Sequence, residues 1–223
     1  MSEEIVQTEM RDAVAVIRFD DGKANAVSPK SLAALNAALD QAEKDAGSVV
    51  IAGRPGRFSG GFDLSVMRGG DAAAMADMVR GGAELAVRLY EFPRPVVLAC
   101  TGHAIAMGAV LLLSADSRIG VRGEFKIGLN EVTIGMTLPM FAIELANDRL
   151  SRRHLQRAVN LAELYDPQGA IDAGFLDRTV APEALIETAI DEAAALAALD
   201  GRAHHGTKRN LRGAVIQRIR DSL

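Results

Sequence analysis

One carboxylate and two glycine-broken turns supply the residues of this 223-residue chain whose types and spacing could do chemistry. Glu131 stands in Ile127-Gly-Leu-Asn-Glu-Val-Thr-Ile134, an apolar neighbourhood for a charged group. Desolvation there raises a carboxyl pKa toward the range useful to a general base. The first turn lies in Val49-Val-Ile-Ala-Gly-Arg-Pro-Gly-Arg-Phe-Ser-Gly-Gly-Phe-Asp-Leu64. A strand-type apolar run stops at Gly53, a loop of Gly53, Pro55, Gly56, Gly60 and Gly61 follows, and Asp63 signals a helix start. The second turn repeats the plan: residues 96–100 are apolar and β-prone, Thr101-Gly102-His103 breaks the run, and 104–115 reads as an apolar helix. Such glycines let a backbone turn sharply and leave its N–H groups pointing away from its own chain. Two strand-loop-helix junctions aimed at one point make an oxyanion hole. Taken alone, the glycine loop is equally a plain strand-to-helix turn, and a carboxylate such as Glu131 is more often a surface or capping group.

The elements that must position these residues follow from the pattern. Residues 13–19 read as a strand, ended by Asp20-Asp21-Gly22. Ser28 caps a helix with Pro29 at its first position; Leu32, Leu35 and Leu39 repeat at helical spacing, and Gly47 closes it. A strand over 48–52 precedes the glycine loop, and a helix over 71–91, weakened by Gly81-Gly82, follows it. Beyond the second turn, 117–121 and 124–127 read as short strands, and 138–145, 152–161 and 167–173 as helices. One more short strand is expected at 177–180. From Pro182 the chain is an Ala-rich helical tail, interrupted near Gly201 and Gly206 and basic at its end. Alternating strands and helices predict an α/β fold with largely parallel pairing, with a core over 1–181 and a helical C-terminal region over 182–223.

Composition excludes several classes. The 25 basic and 29 acidic residues give a net charge of −4 with no basic block, which argues against nucleic acid or an anionic membrane as partner. Cys100 is the only cysteine, so no intrachain disulfide forms, and its place in an apolar strand fits a small buried hydrophobe. No segment reaches the roughly 18 apolar residues of a membrane span, and Met1-Ser2-Glu3-Glu4 lacks a secretory signal pattern. A soluble, cytoplasmic protein is expected. His204-His205 have no cysteine or carboxylate beside them, so no metal is expected.

Three blocks carry a resemblance. Residues 52–64, residues 94–109 with Ser114-Ala-Asp116, and Phe125-Lys-Ile-Gly-Leu-Asn-Glu-Val-Thr-Ile-Gly-Met-Thr-Leu-Pro139 resemble, in order and spacing, the fingerprints of the crotonase (enoyl-CoA hydratase/isomerase) family. The resemblance implies a spiral of ββα units, a helical C-terminal trimerisation region giving a homotrimer or hexamer, and acyl-CoA thioesters as substrates with no further cofactor. It also implies oxyanion donors at the N–H groups of Ser59 and Met107, and a proton-shuttling role for Glu131. CoA and substrate contacts fall on Lys23, Ala24, Ala26, Gly60, Gly61, Asp63, Leu64 and Gly108. The family more often has glycine at position 107, so the methionine side chain must turn away from the oxygen. Asp63, opening a helix, reads as an N-cap rather than a second acid. Arg54, Arg57 and Arg68 flank the first block and can reach phosphates, although solvated surface arginines are the commoner case. Met67, Met136 and Leu138 are looser candidates for lining the acyl chain, while Leu32, Leu35, Leu39, Met75 and Met78 read as core.

One departure from the family pattern selects among its reactions. Hydratases carry a second glutamate where this chain has Val110. Hydration uses two carboxylates, whereas moving a double bond from C3=C4 to C2=C3 needs a single base. The chain is therefore similar to the Δ3,Δ2-enoyl-CoA isomerase branch of fatty-acid metabolism, with Glu131 as sole acid and base. The alternatives are a hydratase with a substitute group, for which His103 is a weak candidate, and a catalytically silent acyl-CoA-binding protein.

Overall fold

Central strands buried along nearly their whole length organise the chain, as seen in a computed structural model that describes residues 4–69 and 71–223. The acidic start at residues 1–3 lies outside the described residues. Six strands form the main sheet: β1 (Val6–Arg11), β2 (Val14–Phe19), and then, past the β3 strand (Ala26–Val27) and helix α1 (Pro29–Asp45), β4 (Ser48–Ala52). The first turn holds β5 (Gly56–Ser59), β6 (Gly61–Phe62), α2 (Leu64–Arg68) and α3 (Ala72–Glu91). The second holds β7 (Val96–Cys100), β8 (Gly102–Ile105) and α4 (Met107–Leu113). After β9 (Ser117–Val121) and β10 (Ile127–Gly128) come α5 (Met140–Arg149), α6 (Arg152–Val159), α7 (Pro167–Ala173), β11 (Arg178–Val180), α8 (Leu185–Ala197) and α9 (Gly201–Asp221). The main sheet runs β1-β2-β4-β7-β9-β11, antiparallel only at β1–β2. A parallel sheet β10-β8-β5 and a parallel pair β3-β6 stand beside it.

The plan repeats: β4 then β5, β7 then β8, and β9 then β10 each give one strand to the main sheet and one to the small sheet before a helix follows. Because side chains alternate across a strand, the main sheet serves two cores. Val14, Val16, Val50, Val97 and Ile119 face α8, while Ile17, Val49, Ile51, Val96 and Leu98 face the interior that α1, α3, α4 and α5 fill. Leu32, Leu35, Leu39 and Met78 are core residues as expected, and Met75 is half-buried. All seven residues of α4 are buried, and each of its leucines contributes about 1.5–3 kcal/mol by leaving water.

Caps were legible: Ser28 takes the Ser31 N–H, and Asp63 takes the N–H and the hydroxyl of Ser65. Several boundaries are corrected. The helix expected over 104–115 starts only at Met107, because Ala104 and Ile105 pair in β8 with β10 and β5. The strand expected over 124–127 shrinks to Ile127–Gly128, where β8 is available as a partner. Asp200 caps α9, which runs unbroken through Gly206. β1, which is exposed except at Val6, carries no apolar alternation to announce it.

The tail is fastened by charge. Asp116, between α4 and β9, accepts from Lys208 Nζ at 2.6 Å and Arg212 at 3.0 Å, and from the Val96 N–H. Lys208 also donates to the carbonyls of Phe92 and Arg94, and Arg212 to that of Tyr90, over whose ring it lies at 4.4 Å. Both cations are buried. Among the described residues, no helix is long and apolar enough to cross a membrane.

Candidate active site

The small sheet gathers the chemistry at one edge. Its strands are parallel, and both Ser59 of β5 and Ile127 of β10 pair with Ala104 of the central β8. All three C-terminal ends therefore face the same way, and the segments leaving them are 60–64, 106–108 and 129–131. At the end of β8 the Ala106 N–H donates to the Gly128 carbonyl at 2.9 Å. Ala106 then turns with φ 53° and ψ −122°, a region that costs a residue with a Cβ about 1–3 kcal/mol. This turn starts α4, whose first N–H groups have no partner within the helix. Met107 is the first of them.

The ladder reassigns the other donor. The Ala104 N–H goes to the Lys126 carbonyl on the β10 side at 3.0 Å. In a parallel pair, the Ser59–Ala104 partnership then turns the Ser59 N–H and C=O toward β8. Gly60 donates to the Ala24 carbonyl at 2.8 Å, Gly61 to Ser59 Oγ at 3.2 Å, and Asp63 to the Val27 carbonyl at 3.0 Å. Among the described residues 59–63, only the Phe62 amide is left over, and alternation turns it away from β3. β6 runs alongside the Ala106 turn: a Cβ on Gly61 (φ 95°) would lie 3.0 Å from Ala106 Cβ and 3.4 Å from Met107 N. The Ser59 amide, expected as a donor, is thus spent on β8, and the amide left free in this loop is that of Phe62. Strand pairing, which no spacing rule reveals, decides it.

The side chains at 62 and 107 share one resting place. A Cβ on Gly82 of α3 would meet the Phe62 ring at 2.5 Å and Met107 Cε at 3.5 Å. Met107 is buried, its side chain turned into the protein toward α3, as the sequence reading required. Gly82 does not break α3, which continues to Glu91; it makes room for Phe62. Gly108 lies where the two turns touch, since its Cβ would stand 2.4 Å from the Ser59 carbonyl.

Glu131 comes off β10 and is only 9% exposed, and its Oε2 has no hydrogen-bond partner. Desolvation raises its pKa above the ordinary glutamate value, its own main-chain N–H opposing this in part. Val132 and Ile134 flank it as exposed apolar residues, and Met136 folds back so that its N–H meets the Glu131 carbonyl. Val110, one turn into α4, is 1% exposed. His103 sits on β8, its Nδ1 accepting from the Lys126 N–H and its ring edge-on to Phe125. That nitrogen is occupied in holding a loop.

The segment 20–27 closes one side. Burial pushes the Asp21 carboxyl up, but the N–H groups of Ala26, Asn25 and Lys23 outweigh it and hold the pKa below the usual range. Lys23 is exposed on this turn, Ala24 gives its carbonyl to Gly60, and Ala26 pairs with Gly61. Arg54 is spent on Asp20 and the Lys23 carbonyl, whereas Arg57 and Arg68 are exposed. Leu64, at the start of α2, is half exposed; Met67 is half-buried; Leu138 belongs to the core. The structure thus brings Lys23, Ala24, Ala26, Gly60, Gly61, Asp63, Leu64, Met107 and Gly108 into adjoining segments. The sequence reading passed over Asn25, which is fully buried. Its Nδ2 donates to the Phe19 carbonyl at 2.7 Å and is shared between those of Phe58 and Arg57 at 3.2 and 3.3 Å. The signal available was a carboxamide between two alanines, just after an Asp-Asp-Gly turn.

Repeated ββα units with this edge define the crotonase architecture. The profile described as enoyl-CoA hydratase/isomerase matches residues 9–217, and the chain belongs to that family. It is similar to an enoyl-CoA hydratase/isomerase family protein from Pseudomonas syringae, with 46% identity and a TM-score of 0.96 over 100% of this chain and 96% of that one. It is also similar to the human mitochondrial delta3-delta2-enoyl-CoA isomerase structure, at 31% identity and TM-score 0.92 over 96% and 86% of the two chains. A probable enoyl-CoA hydratase of Bacillus subtilis (strain 168) is 32% identical over 194 residues, covering 83% of this chain and 71% of that relative.

Proposed function

We propose that the protein is a Δ3,Δ2-enoyl-CoA isomerase with Glu131 as its only acid and base. The Glu131 carboxylate takes a proton from C2 of a 3-enoyl-CoA, and the electron pair moves onto the thioester oxygen as a dienolate. The N–H groups of Phe62 and Met107 hold that charge, each such donor supplying about 2.7–4 kcal/mol of barrier lowering. The protonated Glu131 then returns the proton to C4, and the double bond closes between C2 and C3. No water, ion or electron enters. Two observations together carry the reading: Glu131 Oε2 is buried without a partner, and position 110 holds a buried valine. A hydratase needs a second polar group to position water, and Val110 has none. Similarity to the human mitochondrial delta3-delta2-enoyl-CoA isomerase supports the same reading.

The CoA moiety is placed along Lys23, Ala24, Ala26, Gly60, Gly61, Asp63, Leu64 and Gly108. Assembly as a homotrimer or hexamer through the C-terminal helices and a cytoplasmic setting belong to this proposal; sedimentation of the purified chain tests the former. The activity is tested by mixing the protein with 3-hexenoyl-CoA and following the absorbance of the conjugated 2-enoyl product. Product that disappears with Glu131→Gln is expected. Hydration of crotonyl-CoA at a rival rate overturns the assignment, and tight CoA binding with no turnover points to a silent binder.

A further inference from the structure

We infer that Asn25 is the positioning residue of the Phe62 oxyanion donor. The inference rests on the reading of the site given above and extends it to a side chain that touches no substrate. Asn25 is 0% exposed and adopts φ 51°, a left-handed conformation that asparagine tolerates better than most residues. Its carboxamide ties three segments together. One N–H goes to Phe19 at the end of β2; the other is shared by Phe58 and Arg57 of β5; Oδ1 accepts from the Asp21 N–H at 3.0 Å. The β5–β8 register skips Phe58, passing from Arg57–His103 directly to Ser59–Ala104. Such a bulge bends a strand and leaves a residue outside the ladder. Asn25 supplies the partner that this bulge would otherwise lack.

Two routes lead from Asn25 to the donor. Along the backbone, Asn25 is followed at once by β3, whose Ala26 and Val27 pair with Gly61 and Phe62. Through side chains, the Asn25 carbonyl accepts from Ser59 Oγ at 2.7 Å, and that oxygen accepts from the Gly61 N–H. Both peptide groups around Gly61 are therefore referred to one residue. A peptide is planar, so holding its neighbours fixes the direction of the Phe62 N–H. Ser59 serves here through its hydroxyl rather than its amide. The Met107 donor has no counterpart: the Ala106 carbonyl is held by the N–H groups of Ala109 and Val110, which are backbone alone.

The experiment compares wild type, Asn25→Ala and Asn25→Asp, with circular dichroism reporting the folded fraction. Turnover is measured with 3-hexenoyl-CoA, and binding with acetoacetyl-CoA, which enolises, and hexanoyl-CoA, which does not. For Asn25→Ala, kcat is expected to fall about 10–100-fold, less than the 10²–10³ of an outright lost donor, with KM little changed. Affinity should drop for acetoacetyl-CoA and hold for hexanoyl-CoA. Should Asn25→Ala not fold, Asn25→Asp, of nearly the same shape, carries the test. The substituted carboxyl, beside Asp21, can donate to the Phe58 carbonyl only when protonated. Its kcat should therefore recover as pH falls, against the wild-type trend set by Glu131. A folded variant with wild-type kcat and wild-type preference for acetoacetyl-CoA overturns the inference alone. A wild-type protein that neither isomerises nor favours the enolisable ligand overturns the reading of the site, and this inference with it.

Discussion

The two turns at the small-sheet edge present one main-chain N–H each but hold it in place by different physics. On the Phe62 side the chain is glycine-rich and extended, and its order comes from polar bonds: Asn25, the Ser59 hydroxyl and the Asp21 carboxylate. On the Met107 side the chain is an apolar helix with no side-chain cap, buried along its whole length and entered through a disfavoured alanine conformation. One side is organised by hydrogen bonds and the other by volume. Substitutions that remove a polar group should hurt the first, and those that change size should hurt the second.

The largest effect removes what both turns serve. Glu131→Gln is expected to cut kcat about 10²–10⁴-fold, read with 3-hexenoyl-CoA. In wild type, kcat/KM should rise with pH through a pKa above that of an ordinary glutamate, because only the ionised form accepts the C2 proton. The same shift has a stability consequence of opposite sign. A raised carboxyl pKa means that stability is fullest below the unfolded pKa and declines as pH climbs through the folded one. Glu131→Gln should thus melt higher at neutral pH, by about 2–4 °C for each kcal/mol of relieved desolvation, with the gain vanishing in acid. A gain that persists unchanged to low pH would contradict the desolvation account.

Next in size is the seam between the turns. Gly108→Ala places a Cβ 2.4 Å from the Ser59 carbonyl, and such overpacking costs about 1–3 kcal/mol or more. Both donors should shift together, with a lower Tm and kcat in one variant. Gly82→Ala is more selective. Its Cβ would strike the Phe62 ring, so thermal stability and kcat both fall, and kcat by about tenfold if a displaced donor behaves as one partly lost. A full-speed Gly82→Ala enzyme would separate the Phe62 ring from the donor. The smallest effect is expected from Ala106→Gly. Relief of about 1–3 kcal/mol of backbone strain outweighs the added freedom of the unfolded chain, so Tm rises by a few degrees with kcat nearly unchanged.

How far the sequence reaches differs between the same two regions. Apolar runs and caps announced the main sheet and its helices, because burial on both faces and N-cap chemistry leave marks in residue type. The border between β8 and α4 left none: Ala104-Ile-Ala-Met-Gly-Ala109 has no period, and the turn falls on an alanine where a glycine would have signalled it. The burial of Glu131 and the inward turn of the Met107 side chain were legible from their blocks. Which amide of the glycine loop stays free was not, since that depends on Ala104 bonding toward Lys126 rather than toward β5. Asn25 escaped for a related reason: its partners are carbonyls 6, 32 and 33 residues away.

The carboxylate of Asp116 also has a mechanical meaning. It is the common terminus of two buried cations near the end of the chain and of the Val96 amide at the head of β7. Peeling the final helix away would strand an anion in a greasy cleft and drag on the strand that leads into the small sheet. Such a molecule should come apart in one cooperative step, and a protease should find no severable tail until everything else has already let go.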